Sequence, residues 1–307
     1  MRLALSLLVV TLIAAPVIAQ EQFTFFLSAR TAAGDVVSDL RAEELSVTED
    51  GRAGRVVKLT PVRRSTNVTV LLDNGFNTNS LLGNYRSGLK AFFAALPAGV
   101  EASVVTLAPA PRWVVRPTAD RDQLTAGVDR LAPDTAAPRL ADGLIEAAKR
   151  VEEENRKQQA YFPVIVVLST TGPEGSVPGD RELQRMASQL NTYAARVHVI
   201  MLSTGGTARS EVLGAPQVHV AKFVADQTGG RYEAIAAPTR IETMLADYAK
   251  IIERAHAFQR GQYQVTAERP AGAAGGPGRR VIGLSRPGVT CRFVSLRKTP
   301  GACTGSF

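Results

Sequence analysis

The chain has 307 residues, 45% of them hydrophobic, and is basic, with 36 Lys and Arg against 28 Asp and Glu. This composition is typical of a globular protein and excludes a largely disordered or membrane-embedded chain. Two Cys and three His exclude a disulfide-dense scaffold and argue against a Cys-rich zinc site or a His-built metal centre.

The N-terminus reads as an export signal. Arg2 precedes an apolar run over residues 3–15, Pro16 interrupts it, and small residues lead to a predicted cleavage after Ala19. The run is shorter than the about 20 residues of a transmembrane helix. We therefore expect a secreted or periplasmic protein of bacterial type, with an uncleaved anchor as the alternative.

Three patterns follow in chain order. Residues 20–64 contain short alternating strand candidates separated by turn residues. Residues 65–258 alternate continuous apolar runs with helical stripes, and residues 259–307 return to strand candidates. The apolar runs cover residues 68–72, 104–107, 164–168 and 197–202.

Alternation of buried strands with helices predicts an α/β fold, namely a doubly wound, mainly parallel Rossmann-like sheet with helices on both faces. The flanking segments are too short to form stable sheets alone, so we expect them to meet in one small β module. The predicted domains are a signal peptide (1–19), an N-terminal β segment (20–64), an α/β domain (65–258) and a C-terminal β segment with a basic tail (259–307).

Four motifs resemble bacterial exported proteins with a von Willebrand factor type A (VWA)-related domain. The order and spacing of these motifs carry the resemblance, which spans nearly the whole mature chain. They are Asp39-Leu40 with Glu44 to Gly51, the first sheet strand Val68 to Leu72 ending on Asp73, Thr228-Gly229-Gly230 before Arg231-Tyr232, and Gly261-Gln262-Tyr263 with Arg286-Pro287-Gly288-Val289.

The resemblance implies a metal-ion-dependent adhesion site at the carboxyl ends of the strands, with magnesium held by Asp-x-Ser-x-Ser, a Thr and an Asp. This sequence has Asp73, but Gly75 stands at the first serine position and Asn77 at the second. Pro138 aligns with the Thr, with Thr135 nearby, and Thr171 aligns with the second Asp. The adhesion site is therefore degenerate, and we expect metal loss, with weak magnesium or calcium binding at Asp73 and Asn77 as the alternative.

We expect the rim loops of such a domain to bind a protein partner without a metal. Loops carry binding residues on many rigid scaffolds, and two of these loops are rich in Gly, Pro and Ser. The candidate rim residues are Asp73, Asn74, Asn77, Asn79, Thr170, Thr171, Glu174 and Thr204.

A hydrolase or nucleotide-binding enzyme on the same sheet is the third, less favoured reading. The chain has neither the G-x-G-x-x-G spacing nor a Ser in G-x-S-x-G. His198 lies inside an apolar run, which predicts a core histidine. We therefore expect a non-catalytic protein with no nucleic-acid partner.

The C-terminal segment carries two further features. Cys291 and Cys303 are the two cysteines of the chain, and the predicted export places them in an oxidising compartment. An even number of cysteines in such a compartment predicts a disulfide. The stretch from Arg269 onward has seven basic residues and no acid. It is expected to form a solvated strand face, or else to bind an anionic envelope surface. The candidate basic-tail residues are Arg279, Arg280, Arg286, Arg292, Arg297 and Lys298.

Overall fold

The computed structural model describes residues 21–62, 64–76, 78–157, 161–203, 216–273, 278–295, 300–302 and 304–305. The chain divides into two compact units. One is Arg63–Arg260, and the other joins Met1–Val62 with Gly261–Phe307. The predicted signal peptide, residues 1–19, lies outside the described residues.

The strands and helices alternate through the middle of the chain. The strands are β1 (Gln22–Thr31), β2 (Leu45–Glu49), β3 (Arg52–Ala53), β4 (Arg55–Pro61), β5 (Thr66–Leu72), β6 (Glu101–Thr106), β7 (Arg112–Thr118), β8 (Phe162–Thr170), β9 (Arg196–Leu202), β10 (Tyr232–Ile235), β11 (Gln262–Glu268), β12 (Arg280–Leu284), β13 (Val289–Ser295), β14 (Pro300–Ala302) and β15 (Thr304–Gly305). The described α-helices are α1 (Leu82–Ala95), α2 (Arg121–Asp129), α3 (Leu140–Arg156), α4 (Asp180–Thr192), α5 (Pro216–Thr228) and α6 (Arg240–Arg260). Short 3-10 turns cover Ala42–Glu44 and Asn79–Leu81.

The Arg63–Arg260 unit is built on a six-stranded sheet in the order β10-β9-β8-β5-β6-β7. Neighbouring strands are parallel except for β7, which runs antiparallel to β6. Its inner strands are the continuous apolar runs of the sequence, because helices cover them on both faces. The predicted doubly wound, mainly parallel sheet is confirmed.

Two apolar layers sandwich this sheet. Successive residues of β5 lie alternately in the two layers. Val70 and Leu72 pack with α1, α2 and α6, whereas Leu71 packs with α3, α4 and α5. This separation follows from the two-residue side-chain period of a strand. The layers hold the ends of β5 and β8 rigidly, and those ends carry the predicted rim.

The other unit is a β module built from both ends of the chain. Its sheets have the orders β14-β13-β1-β11-β4 and β15-β12-β2-β3. β1 pairs antiparallel with both β11 and β13, so the expected meeting of N- and C-terminal strands is confirmed. Asp50 and Gly51, with φ of 51° and 77°, form the two-residue turn between β2 and β3.

Helix α2 is an element that the sequence patterns did not predict. It has nine residues, and its apolar stripe is short. Its clearest sequence signal is Asp120, whose side chain accepts hydrogen bonds from the amides of Asp122 and Gln123 as an N-cap.

Two cations of the predicted basic tail are paired inside the β module. Arg286 contacts Glu44 and Asp39, each at 2.6 Å, and these hydrogen bonds lower the pKa of both carboxyls. Arg280 lies 3.4 Å from Glu49 and stacks over Phe23. These contacts hold the C-terminal strands to the N-terminal segment, so Arg280 and Arg286 are not unpaired surface charges. The side chains of Arg279 and Arg292 are exposed, and Arg297 and Lys298 lie outside the described residues.

Cys291 is buried in β13, where it lies opposite Ala29 of β1. Cys303 lies outside the described residues, so the Cys291–Cys303 disulfide stays a prediction. Within the described ranges, no helix is long and apolar enough to cross a bilayer.

Candidate functional site

Three loops converge at the carboxyl ends of β5 and β8. They are residues 73–76 and 78 after β5, residues 131–139 before α3, and residues 170–179, which begin with the last residue of β8. Backbone hydrogen bonds join them: Phe76 donates to the carbonyl of Ala136, and Gly175 donates to that of Pro138. We call these three loops the rim; the middle one lies between the other two.

Asp73 is sealed within the rim, with 0% of its surface exposed. Its Oδ1 accepts a hydrogen bond from the Gly75 amide at 2.9 Å. Its Oδ2 accepts two from Thr170, one from the hydroxyl at 2.7 Å and one from the amide at 3.2 Å. Both carboxylate oxygens are therefore bound by donors of the protein itself.

Burial dominates the electrostatics of this carboxyl. It raises the pKa of Asp73, and the hydrogen bonds from Thr170 and Gly75 oppose that rise. The phenol of Tyr85, from α1, is also buried and has no hydrogen-bond partner among the described residues. Burial raises the Tyr85 pKa, and the charge of Asp73 adds to the effect.

Gly75 lies where the middle loop comes closest to the first. A Cβ built on Gly75 would lie 2.6 Å from the Ala136 carbonyl oxygen and 2.7 Å from Pro138 Cδ. Real Cβ atoms do not approach backbone so closely, so a serine would displace the middle loop. This packing explains physically why glycine occupies the first serine position.

Asn74 joins two loops and does not face a ligand. Its side-chain amide donates to the Ala132 carbonyl at 3.1 Å, and its Oδ1 accepts from the Ala108 amide at 3.0 Å. The side chain is buried, so both of its polar ends are satisfied within the fold.

Thr170, rather than Thr171, contacts Asp73. The backbone amide of Thr171 instead donates to the Leu202 carbonyl of β9. The sequence comparison aligned the second Asp of the adhesion site with Thr171. The residue that contacts Asp73 is Thr170, one position earlier.

Glu174 is directed to its own loop and to α3. Its Oε1 accepts from the Ser176 amide at 2.9 Å. Burial raises its pKa, whereas Ser176 and the backbone amides of Leu140 and Ala141 at the start of α3 lower it. Glu174 thus complements a helix N-terminus, and no described hydrogen bond joins it to Asp73.

The remaining predicted rim residues are separated from Asp73 or undescribed. Asn79 is exposed on the 3-10 turn before α1. Asn77 and Thr204 lie outside the described residues, so their places in the predicted site stay predictions.

A buried glutamine anchors the loop after β8. Gln217 of α5 donates to the Pro173 carbonyl at 2.6 Å and is hydrogen-bonded through its Oε1 to the Ser169 hydroxyl. This anchor holds the loop in place from below while its outer residues face solvent.

Two large apolar side chains of the rim are exposed. Phe76, in the loop after β5, is 53% exposed, and Val177, in the loop after β8, is 96% exposed. Sequence reasoning about metal ligands missed both residues. The available signal was a large apolar residue within a loop otherwise made of Gly, Pro and polar residues.

The described histidines of the unit's interior serve packing. His198 accepts a hydrogen bond at Nδ1 from the Arg231 amide at 3.2 Å and lies against the Tyr248 ring. His256 Nδ1 is 2.9 Å from the Thr66 hydroxyl, but Thr66 is only 1% exposed. A hydroxyl–imidazole pair without solvent access cannot receive a substrate.

Comparisons with known proteins identify neighbours among solved structures alone. No family model and no curated protein matches the chain. A von Willebrand factor type A protein from Catenulispora acidiphila is 11% identical, with 94% of this chain and 75% of that chain covered and a TM-score of 0.49. The conserved hypothetical protein BatB from Bacteroides thetaiotaomicron is 11% identical, with coverages of 62% and 100% and a TM-score of 0.46.

The vWF domain of the type V pilus tip protein Mfa5 from Porphyromonas gingivalis is 10% identical, with coverages of 63% and 96% and a TM-score of 0.46. Such identities and scores carry no argument about function. The doubly wound sheet itself, with its first strand ending on Asp73, matches the fold that the sequence motifs implied. The Arg63–Arg260 unit therefore has the doubly wound α/β architecture that the resemblance implies.

The resemblance to VWA domains raises the question of whether the rim fits a magnesium ion. Magnesium requires near-octahedral oxygen coordination and gives up its waters reluctantly. The described carboxylates of the rim already accept hydrogen bonds from the protein: Asp73 at both oxygens, and Asp134 and Glu174 at one oxygen each. Gly75 supplies no side-chain oxygen, and the part of the chain that the structure describes contains no cluster of three His, Cys, Asp or Glu residues. The described residues do not fit this ion.

Proposed function

We propose that this chain is an extracytoplasmic, non-catalytic protein-interaction module whose VWA-type rim contacts its partner without a metal. One contrast carries the proposal: the carboxylate of Asp73 is sealed, whereas Phe76 and Val177 project from the flanking loops. A surface arranged in this way offers apolar contacts in place of a metal-bound carboxylate.

The chemistry of the rim supports an apolar partner surface. Aromatic and aliphatic anchors contribute most of the binding energy at many interfaces. Arg139, a cation of the middle loop, is paired with Asp142 at 2.8 Å. We therefore expect the partner to present aliphatic or aromatic side chains to Phe76 and Val177, rather than an acidic side chain.

The absence of an accessible nucleophile–base pair among the described residues supports a non-catalytic role. Thr66 and His256 form a hydroxyl–imidazole pair, but both residues are buried. The extracytoplasmic location rests on the predicted signal peptide of residues 1–19 and on the predicted Cys291–Cys303 disulfide.

The test compares three proteins in affinity capture from an envelope extract, followed by calorimetry with each purified partner. The rim variant is Phe76→Ser with Val177→Ser, and the matched control is Val57→Ser, an exposed valine on β4. We expect a partner that binds the wild type and the control equally and binds the rim variant at least about tenfold more weakly, since hot-spot truncation costs about 2 kcal/mol or more.

The result that contradicts the proposal is equal affinity for all three proteins, or affinity that is lost when a chelator is added. Calorimetric titration of magnesium, manganese and calcium, with Asp73→Ala as control, tests the metal separately. Heat abolished by Asp73→Ala would instead favour the alternative, weak metal binding at Asp73 and Asn77 that serves a partner carboxylate.

A further inference from the structure

Strand β7 is an edge of the six-stranded sheet. It has seven residues, pairs with β6 on one side, and has no described strand on the other. An edge strand presents unpaired N–H and C=O groups that can pair with another chain. Pro117 lacks an N–H and is typical of an edge position, so the segment open to pairing is Arg112 to Arg116.

A cavity of about 100 Å³ lies beside this edge, between α3 and the β6–β7 hairpin. Leu71 and Val105 of the sheet line its apolar part. Its polar and aromatic lining includes Arg112 and Trp113 of β7 with Glu146 and Arg150 of α3. The cavity has room for one side chain of a segment lying along β7.

The charges around this cavity are mainly positive. Arg150 stacks 4.1 Å from the Trp113 ring and pairs with Glu154 at 3.0 Å. Arg112 and Arg116 have no described acidic residue within ion-pairing distance, although Arg116 lies 5.8 Å from the Trp113 ring. These guanidinium groups, exposed along an open strand edge, would attract a negatively charged chain.

We propose that β7 binds an extended acidic segment of a partner protein by strand addition, with its acidic side chains facing Arg112 and Arg116 and one apolar side chain entering the cavity beside Trp113. Main-chain hydrogen bonds to Arg112–Arg116 supply affinity, and the guanidinium groups select acidic side chains. Glu146 lines the cavity and disfavours an acidic side chain there, so a sequence that alternates acidic and apolar residues fits best.

Other strand edges fit this role less well. β10, at the opposite edge of the same sheet, has only four residues. β4 of the β module has seven residues, but its Arg55 is already paired with Glu268 at 2.8 Å. β7 combines length, unpaired cations and an adjoining cavity.

The proposal is independent of the rim. β7 pairing involves neither Phe76 nor Val177, and the probe is a synthetic peptide rather than the natural partner. Loss of rim binding would leave β7 binding intact, and the reverse also holds, so the two proposals fail separately.

The test uses an alternating Glu–Val peptide of about seven residues, the length of β7, added to the full mature protein. A Lys–Val peptide of equal length tests charge selection, and a Glu–Val peptide with a central proline tests backbone pairing. Binding is measured by calorimetry at low and high salt, and hydrogen exchange reports on the amides of residues 112–116.

The protein variant is Arg112→Glu with Arg116→Glu, both at exposed positions, with circular dichroism to verify folding. The control is Arg254→Glu combined with Lys58→Glu, which changes the net charge equally at exposed positions outside β7. We expect the Glu–Val peptide to bind wild type and control, to slow exchange of the β7 amides, and to bind the variant at least about tenfold more weakly, a loss of about 1.4 kcal/mol.

Three results would each overturn the proposal. The Glu–Val peptide could fail to bind the wild type. It could bind no better than the Lys–Val or proline peptide. It could also bind without protecting the β7 amides, which would reduce the effect to surface charge attraction, weakened by salt.

Discussion

The Thr170 hydroxyl donates to Asp73 Oδ2 at 2.7 Å, and the Thr170 amide donates to the same oxygen at 3.2 Å. These bonds join the last residue of β8 to the residue that follows β5, its neighbour in the sheet. In a buried setting, a hydrogen bond to a charged group contributes more than one between neutral groups. Asp73 therefore joins the end of β5 to the end of β8.

We predict that Thr170→Val lowers the free energy of unfolding by about 1.5–3 kcal/mol, the usual contribution of a hydrogen bond to a charged group. Valine keeps the shape of threonine but leaves Asp73 with one donor fewer. Urea denaturation measures the loss, with Thr60→Val, at an exposed position on β4, as control. Equal stability of both variants would contradict the assigned role of the hydroxyl.

Asp73→Asn is predicted to change the pH dependence of stability. Because burial raises the pKa of Asp73, the folded protein binds this proton more tightly than the unfolded chain. This stabilising contribution is complete below the unfolded pKa and is lost as pH rises through the folded value. Urea denaturation between about pH 7 and about pH 4 should therefore favour the wild type over Asp73→Asn increasingly as pH falls. A constant difference would refute the prediction.

Gly75→Ala is predicted to be destabilising by about 1–3 kcal/mol, the typical cost of overpacking, because its Cβ would meet the Ala136 carbonyl and Pro138. Gly83→Ala is the matched control: its Cβ would meet no atom within 4 Å, and it lies in helix α1. There alanine should stabilise by up to about 1 kcal/mol. Thermal unfolding compares the two, and a stable Gly75→Ala would show that the middle loop yields.

His198 should make the protein less stable in mild acid. Burial, with added repulsion from Arg231 and Arg196, lowers its pKa from 6.5 to about 4. Between about pH 6.5 and about pH 4, the unfolded chain therefore binds a proton that the folded protein does not. Stability should fall by about 3 kcal/mol as pH drops through the window. His198→Gln should remove most of that slope, whereas His219→Gln, at an exposed position, should keep it; equal slopes in the two variants would exclude His198 as the cause.

Reduction of the Cys291–Cys303 disulfide is predicted to lower the free energy of unfolding by about 3 kcal/mol, the usual value for a short loop. Thiol titration of the unreduced, unfolded protein should detect no free thiol, and Cys291→Ser with Cys303→Ser should match the reduced protein. Two titratable thiols before reduction would contradict the pairing.

The sequence by itself determined which segments form the inner strands of the sheet and which form most of the helices between them. Strands buried on both faces must be apolar at every position, so the runs at residues 68–72 and 164–168 identify β5 and β8 directly. Helices α1, α3, α4 and α6 carry amphipathic stripes because each buries one face and exposes the other. Helix α2 escaped because its nine residues show too few turns for a stripe, although Asp120 marks its start.

Only the tertiary structure decided which residues meet at the rim. Thr170 and Asp73 are far apart in the chain, and a shift of one residue along a strand end separates Thr170 from Thr171. The contact between Gly75 and Pro138 likewise depends on how two loops pack. The pairing of Arg286 with Asp39 and Glu44 converted an apparent tail charge into an internal contact. Local patterns record the burial of each element, but long-range contacts depend on the three-dimensional positions of loops that no periodicity describes.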